Sequence, residues 1–483
     1  MISRTHGPRW ALAACLTLLA AGFGRLVVDG LAYLRSPYGR DYGEGVVLAL
    51  SQLLVQRGSY FGPIGEYPMI HGNYPPVFIL LSAAALRLFG PSLAVTRALS
   101  LLSTAALMAV VYRVVRQRSR DAALALCAAL LLVAPWFVVT WAPLGRVDML
   151  ACLFSACGLW LFAGEGAEGA PRWRRGAAAA CFILGVFTKQ TALLAPAAAL
   201  LSLLPDGAGR RRVPGFLLAF ALPAASVLVA LVVATHGEAW AHLVTYTAAA
   251  DYSLTALRRG YESFVVASGP LLAVILLGLT AGAGPLRDRR HLPFVVYWLL
   301  NLGALATTAK AGAAQNYLVE PWLSTVLLAA LSLGVLQERS PEVFRWWPAV
   351  MLAAAVVALA ASYDAARLPR PIRSPGQATE YRALDEAVAS TSGPILSENL
   401  GVLVRNGKPV LAEPFGLLLL SRRGLWRPDR LVADCEAGRF ALVVYEDRLR
   451  DIPGIDACLD RRYEPLGSLG PYDLYRPRSA AAP

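Results

Sequence analysis

Asp41 and Glu44, in the segment Arg40-Asp-Tyr-Gly-Glu-Gly, are the first groups along the chain whose types and spacing suit acid–base chemistry. Three residues apart, they share a face if the turn is helical, and a carboxylate can take a proton from a hydroxyl as that hydroxyl attacks a carbon. The same spacing suits a helix N-terminal capping pair, where acidic groups are also favourable. More polar groups follow: Asn73-Tyr74-Pro-Pro, Arg146-Val-Asp148, Thr188-Lys189-Gln190, Arg258-Arg259, and Lys310 with Asn316, Tyr317 and Glu320. The cations come from four separate segments, and each could give charge-assisted hydrogen bonds to a phosphate. The competing reading of each is a side chain snorkelling toward water beside a local ion pair.

What positions these groups is a membrane domain. Of 483 residues 57% are apolar and only 16% are charged, with mean hydropathy +0.51; soluble chains carry about 25% charged residues. Apolar runs recur from Trp10 to Tyr363, and a span needs roughly 20 residues. Spans are expected near 10–33, 93–115, 121–139, 146–163, 176–189, 191–204, 214–235, 263–283, 292–308, 321–337 and 347–363, about eleven in all. The run Pro76–Phe89 is too short to cross comfortably and is expected to lie on the outer surface as an interfacial helix, with an amphipathic stretch from Val46 to Gln56 before it. That choice puts every basic loop on one side: Arg113 to Arg120, Arg172 to Arg175, Arg210 to Arg212, Arg287 to Arg290, and Glu338 to Arg345. Under the positive-inside rule that side is cytoplasmic. The N-terminus is then cytoplasmic, in the cell (inner) membrane, and the tail is extracytoplasmic.

The expected domains are a transmembrane unit over 1–363, with an outer-face loop at 35–92, and a small α/β extracytoplasmic unit over 364–483. In the tail, Tyr381 to Ala389 reads as helix, Ala441 to Tyr445 as a buried strand, and Pro394-Ile-Leu and Lys408-Pro-Val-Leu as edge strands. The tail holds no nucleophile elbow, phosphate loop or metal cluster, and a structural or docking lid is its preferred reading. Cys435 and Cys458 could pair in an oxidising compartment. The other five cysteines (15, 127, 152, 157 and 181) fall in apolar runs as small fillers. Arg4 and Arg9 before an apolar run suit a signal peptide, and Leu12-Ala-Ala-Cys15 suits a lipoprotein box. Without a cleavage site followed by polar sequence, or an apolar core before Cys15, a retained first helix is expected. The net charge of +13 lies in loops, with no basic, aromatic-interleaved patch to suggest nucleic acid.

The order of these motifs resembles the GT-C class of polyprenyl-phosphate-sugar glycosyltransferases, which includes the protein O-mannosyltransferases and the lipid A aminoarabinose transferase. The resemblance covers about residues 10–340. It rests on D-Y-G-E-G after the first span, Y-P-P-V-F opening a helix that ends L-F-G, then R-V-D-M-L, F-T-K-Q-T-A and A-K-A-G-A-A-Q-N-Y-L-V-E-P. It implies transfer of a sugar, a hexose or pentose, from a lipid-linked phosphate donor to an extracytoplasmic lipid, glycan or protein. By the same resemblance Asp41 and Glu44 are the acidic pair. Lys189, Arg258 or Arg259, Lys310 and Tyr317 hold the donor phosphate, and Asp148 matches an acidic residue at the head of a helix. Tyr74, Arg146, Asn316 and Glu320 complete the outer-face candidates. No metal is required, although a divalent cation could bridge Asp41 and Asp148. A lipid-linked sugar transporter or flippase would show inverted repeats, and no internal repeat is found. A non-catalytic membrane scaffold would need no such cluster of charges.

Overall fold

The computed structural model describes residues 8–165, 173–280, 290–361 and 374–478. The expectations placed on Arg4, Arg172, Arg287 and Arg289, and on the boundary at Asp364, lie outside these.

Helices dominate the chain up to residue 361: α1 (Arg9–Arg35), α2 (Tyr42–Arg57), α3 (Pro76–Phe89), α4 (Leu93–Ser119), α5 (Ala122–Leu131), α6 (Trp136–Trp141) and α7 (Asp148–Glu165). They continue with α8 (Trp173–Val186), α9 (Leu194–Leu201), α10 (Val213–Ala234), α11 (Leu254–Thr280), α12 (Leu292–Ala304), α13 (Val319–Arg339) and α14 (Trp347–Ala360). Among the described residues six helical stretches are long and apolar enough to cross a membrane: α1, α4, α10, α11, Leu292–Ala309 and Gln315–Arg339. Two of them show opposite solutions for an apolar helix. In α13 every residue from Val319 to Leu333 is buried, so it is the axis of the bundle, whereas α10 keeps Leu218, Leu222, Val229 and Val233 exposed. The five unpaired cysteines are buried or half-buried among these helices.

Three expectations for the membrane domain need correction. The span at 121–139 is two helices, because Pro135 has no N–H to continue the ladder; at the break the Leu132 carbonyl, past the end of α5, accepts from Trp322 Nε1 at 3.0 Å. The span at 263–283 begins nine residues earlier, at Leu254, so Arg258 and Arg259 lie within its first two turns rather than before it. The stretch Val46–Gln56 is not an amphipathic surface helix: α2 is buried continuously from Gly43 to Ser51, pressed between the bundle and the tail. Its ends are set locally. Asp41 caps the first turn by accepting from Glu44 N, and Gly58, at φ 75°, stops the last.

The basic ends gather around the C-terminal end of α7. Trp160 donates to Gln117, Arg174 lies over the Trp160 ring, and Arg212 lies over the Phe162 ring. Asp148 is the other end of α7, about 27 Å away at 1.5 Å per residue.

The tail is an α/β unit built from α15 (Pro375–Ser390), β1 (Ile395–Ser397), α16 (Leu400–Arg405), α17 (Pro414–Arg422), α18 (Asp429–Glu436), β2 (Leu442–Tyr445), α19 (Ile455–Arg462), β3 (Tyr463–Leu469) and β4 (Tyr472–Pro477). The sheet order is β1-β2-β4-β3. β1 runs parallel to β2 with Leu396 opposite Val443, and β4 is antiparallel to both β2 and β3. Cys435 and Cys458 form a disulfide between α18 and α19. Lys408 to Leu411 is not a strand of this sheet. It leads instead to the outer loop, where Met69 N donates to the Leu411 carbonyl and Glu413 N to the Met69 carbonyl.

Candidate active site

Asp41 ends the connection from α1 and opens α2. Its Oδ2 accepts from Glu44 N at 3.1 Å and from Arg146 Nη1 at 2.7 Å. No hydrogen bond among the described residues uses Oδ1, and the side chain keeps 13% of its surface open. Burial pushes this carboxyl above the usual carboxylate range, and Arg146 pulls against that shift. Arg146 also donates to Tyr74 OH at 2.7 Å and lies over the Trp141 ring. Only glycine at 43 permits this approach, since a Cβ there would stand 1.6 Å from Arg146 Nη1.

Glu44 has a different setting. It is wholly buried, and Arg97 grips both its oxygens, Nε to Oε1 at 2.7 Å and Nη2 to Oε2 at 2.8 Å, while Gly145 N donates to Oε1. The remaining Arg97 donors reach the carbonyls of Tyr33, Ser36 and Tyr38. All five N–H groups of this guanidinium are therefore used; they tie the end of α1 and the start of α2 to α4, and Glu44 in turn holds the loop before α7 through Gly145 N. Arg97 is absent from the sequence-derived candidates. The signal was present: a lone arginine in the apolar run from Leu93 is costly unless paired.

The second half of the site is centred on Asp148. Its Oδ1 accepts from Lys189 Nζ and from Asn316 Nδ2, each at 2.8 Å, and Lys189 Nζ lies 4.7 Å from the centre of the Tyr317 ring. Lys189 stands where the chain breaks between α8 and the 3₁₀ turn Gln190–Leu193. Gln190 bonds the Asn73 carbonyl, and Val77 N bonds the Phe187 carbonyl, so the start of α3 is held against this break. Asp148 Oδ2, Arg146 Nε, Asn316 Oδ1 and Asn73 Oδ1 are buried without hydrogen-bond partners. Such atoms are rare in finished interiors; others are scattered through the protein, as at Trp298, Asn301 and Ser332, but these four lie on residues of this cluster and its immediate neighbour Asn73. Glu320 lies deeper, accepting from Tyr297 OH at 2.8 Å and Ser155 Oγ at 3.4 Å.

Three candidates stand apart. Lys310 donates to the Thr247 carbonyl at 2.6 Å, in a second cluster with His71 and His242, where burial lowers the His71 pKa to about 4. Arg258 and Arg259 are exposed, and Arg258, with 81% of its side chain open, pairs with Glu262 one turn on. Asp41 pairs with Arg146 and Asp148 with Lys189, each through one carboxylate oxygen, so a cation there would share both carboxylates with those partners. Among the described residues one acidic trio has ligand-like spacing, Glu398, Glu446 and Asp447 in the tail. Glu398 there already accepts from the backbone N–H groups of residues 446 to 449.

Residues 73–240 match the family model described as dolichyl-phosphate-mannose-protein mannosyltransferase. In three dimensions the chain is similar to ArnT from Cupriavidus metallidurans bound to undecaprenyl phosphate, at a TM-score of 0.64 and 14% identity over 95% of this chain and 97% of that one. It has the fold of the GT-C glycosyltransferases. The archaeal oligosaccharyltransferase AglB from Archaeoglobus fulgidus, in complex with an inhibitory peptide and a dolichol-phosphate, is similar at a TM-score of 0.55 and 13% identity, over 96% of this chain and 75% of that one. No curated protein matches the chain in sequence. The resemblance read from the motifs is thereby borne out. With six helices among the described residues long and apolar enough to cross, the chain is a multi-pass membrane protein.

Proposed function

We propose that the protein transfers a sugar from a polyprenyl-phosphate-linked donor to an extracytoplasmic acceptor. The observation that carries this reading is the cluster of Asp41, Tyr74, Arg146, Asp148, Lys189, Asn316 and Tyr317 at one end of the bundle, with buried polar atoms still lacking partners. Its place at the opposite end of α7 from the basic loops supports an outer-face site, cytoplasmic basic loops and N-terminus, and an extracytoplasmic unit over 364–483. The GT-C fold and the match to a family of dolichyl-phosphate-mannose transferases support the donor class.

In this reading Asp41 is the base and Glu44 is not, because Arg97 and Gly145 occupy both Glu44 oxygens whereas Asp41 Oδ1 is open. Asp41 takes the proton of the acceptor hydroxyl as its oxygen bonds to the anomeric carbon. The bond from that carbon to the phosphate oxygen breaks, and the electron pair leaves with the phosphate. Lys189, beside Tyr317, meets the charge that develops there, which lowers the barrier. Lys310 would hold the donor from the neighbouring cluster. Arg258 and Arg259 are too exposed to be first choices. The test is turnover of a polyprenyl-phosphate sugar by the purified protein, with mass spectrometry of the acceptor fraction. Release or transfer of the sugar that falls by about 10²–10⁴ in Asp41→Asn supports the proposal. Movement of intact donor across vesicles without bond cleavage would instead indicate a flippase.

A further inference from the structure

The residues flanking Asp41 are held by the tail. On the preceding side Arg40 Nη1 donates to Tyr381 OH at 3.0 Å, Arg405 donates to the Pro37 carbonyl, and the Tyr38 and Tyr381 rings lie 5.3 Å apart. On the following side Tyr42 OH donates to Glu413 Oε1 at 2.5 Å and accepts from Phe415 N at 3.2 Å. The Arg448 guanidinium lies over both rings, 5.0 Å from Tyr42 and 5.1 Å from Phe415. Three residues further, α2 approaches α16 so closely that a Cβ on Gly45 would stand 3.0 Å from Gly401 N.

Glu413 is itself fixed. It is 3% exposed, its carboxylate caps α17 by accepting from Gly416 N, and its own N–H bonds the Met69 carbonyl. A buried acceptor locked in this way leaves the Tyr42 hydroxyl little freedom. The segment from Pro37 to Gly45 is therefore clamped from two sides, by Arg97 of the bundle and by the tail, with the Asp41 carboxyl between them.

We infer that the tail is a working part of the active site, and that Glu413 is a positioning residue which, through Tyr42, holds the Asp41 carboxyl at the acceptor hydroxyl. This rests on Asp41 being the base. Misplacing a reacting group by about 1 Å can cost 10²-fold in rate, so a loosened first turn of α2 should show in kcat rather than in donor affinity.

The experiment is a double-mutant cycle on the full-length protein, with Tyr42→Phe and Glu413→Ala each made alone and with Asp41→Asn. Tyr42→Phe removes one hydroxyl, keeps the ring, and decides the matter if Glu413→Ala does not fold. Each change should lower kcat by roughly 10- to 100-fold with donor KM within about twofold, and should add no further loss once Asp41 is Asn. An equal fold-loss in both backgrounds, or an unchanged kcat in folded Tyr42→Phe, overturns the inference. Wild-type turnover by Asp41→Asn would instead sink the base assignment itself, so the two failures are distinguishable.

Discussion

Two buried pairs of guanidinium and carboxylate meet on the first turn of α2, three residues apart. In the Glu44–Arg97 pair every donor of the arginine is used and no atom of either group remains open. In the Asp41–Arg146 pair the carboxylate keeps a free oxygen and Arg146 Nε has no partner. Both have the same chemical composition, yet only the second resembles a place prepared for something that arrives later. A saturated network fixes backbone, and a partly satisfied one is stable only where a ligand or water completes it.

The largest expected effect is on the saturated pair. Arg97→Met leaves Glu44 buried and unpaired, which should destabilise the protein by about 3–5 kcal/mol, read as a lowered unfolding midpoint in detergent or as loss of folded protein. If Arg97→Met keeps its midpoint and loses only turnover, the division between the two pairs is wrong. Asp41→Asn should do the opposite, with the midpoint nearly unchanged and turnover reduced by about 10²–10⁴. The base works deprotonated, and burial raises its pKa. Turnover should therefore fall on acidification through a limb lying above the ordinary value of about 4, and that limb should be absent from Asp41→Asn.

Lys189→Met should lower both donor affinity and turnover, while Lys189→Arg should retain part of the binding, because the fork differs from the ammonium in geometry. Unchanged donor binding in folded Lys189→Met would remove the phosphate assignment. The smallest effect belongs to Arg258→Ala, whose exposed pair with Glu262 is screened by solvent and contributes little; a large loss of donor binding there would restore it to the site.

Much of this was legible in the sequence. The helix at Pro76–Phe89 has the expected bounds, the break at Lys189 falls where the apolar pair is interrupted, and Arg146, Asp148, Lys189, Asn316 and Tyr317 converge. What was hidden depended on long-range packing. Nothing local distinguishes Asp41 from Glu44, since the difference lies in Arg97, 53 residues away from Glu44 in sequence. The tail hairpin Tyr463–Pro477 was missed because β3 is mostly exposed and carries no clean alternation. The role of Glu413 depends on a partner 371 residues away.

The contact between Lys189 and Asp148 has a consequence for the order of events. The Lys189 ammonium is paired with the Asp148 carboxylate. If Lys189 holds the donor phosphate as proposed, that phosphate competes with Asp148 for the ammonium, which makes loading nearer to an exchange of counter-ions than to an addition of charge. Asp148 then becomes the displaced anion, held by Asn316 and within the field of Arg146. Its return to Lys189 is what would expel the spent lipid phosphate, resetting the protein as salt regenerates an ion-exchange column.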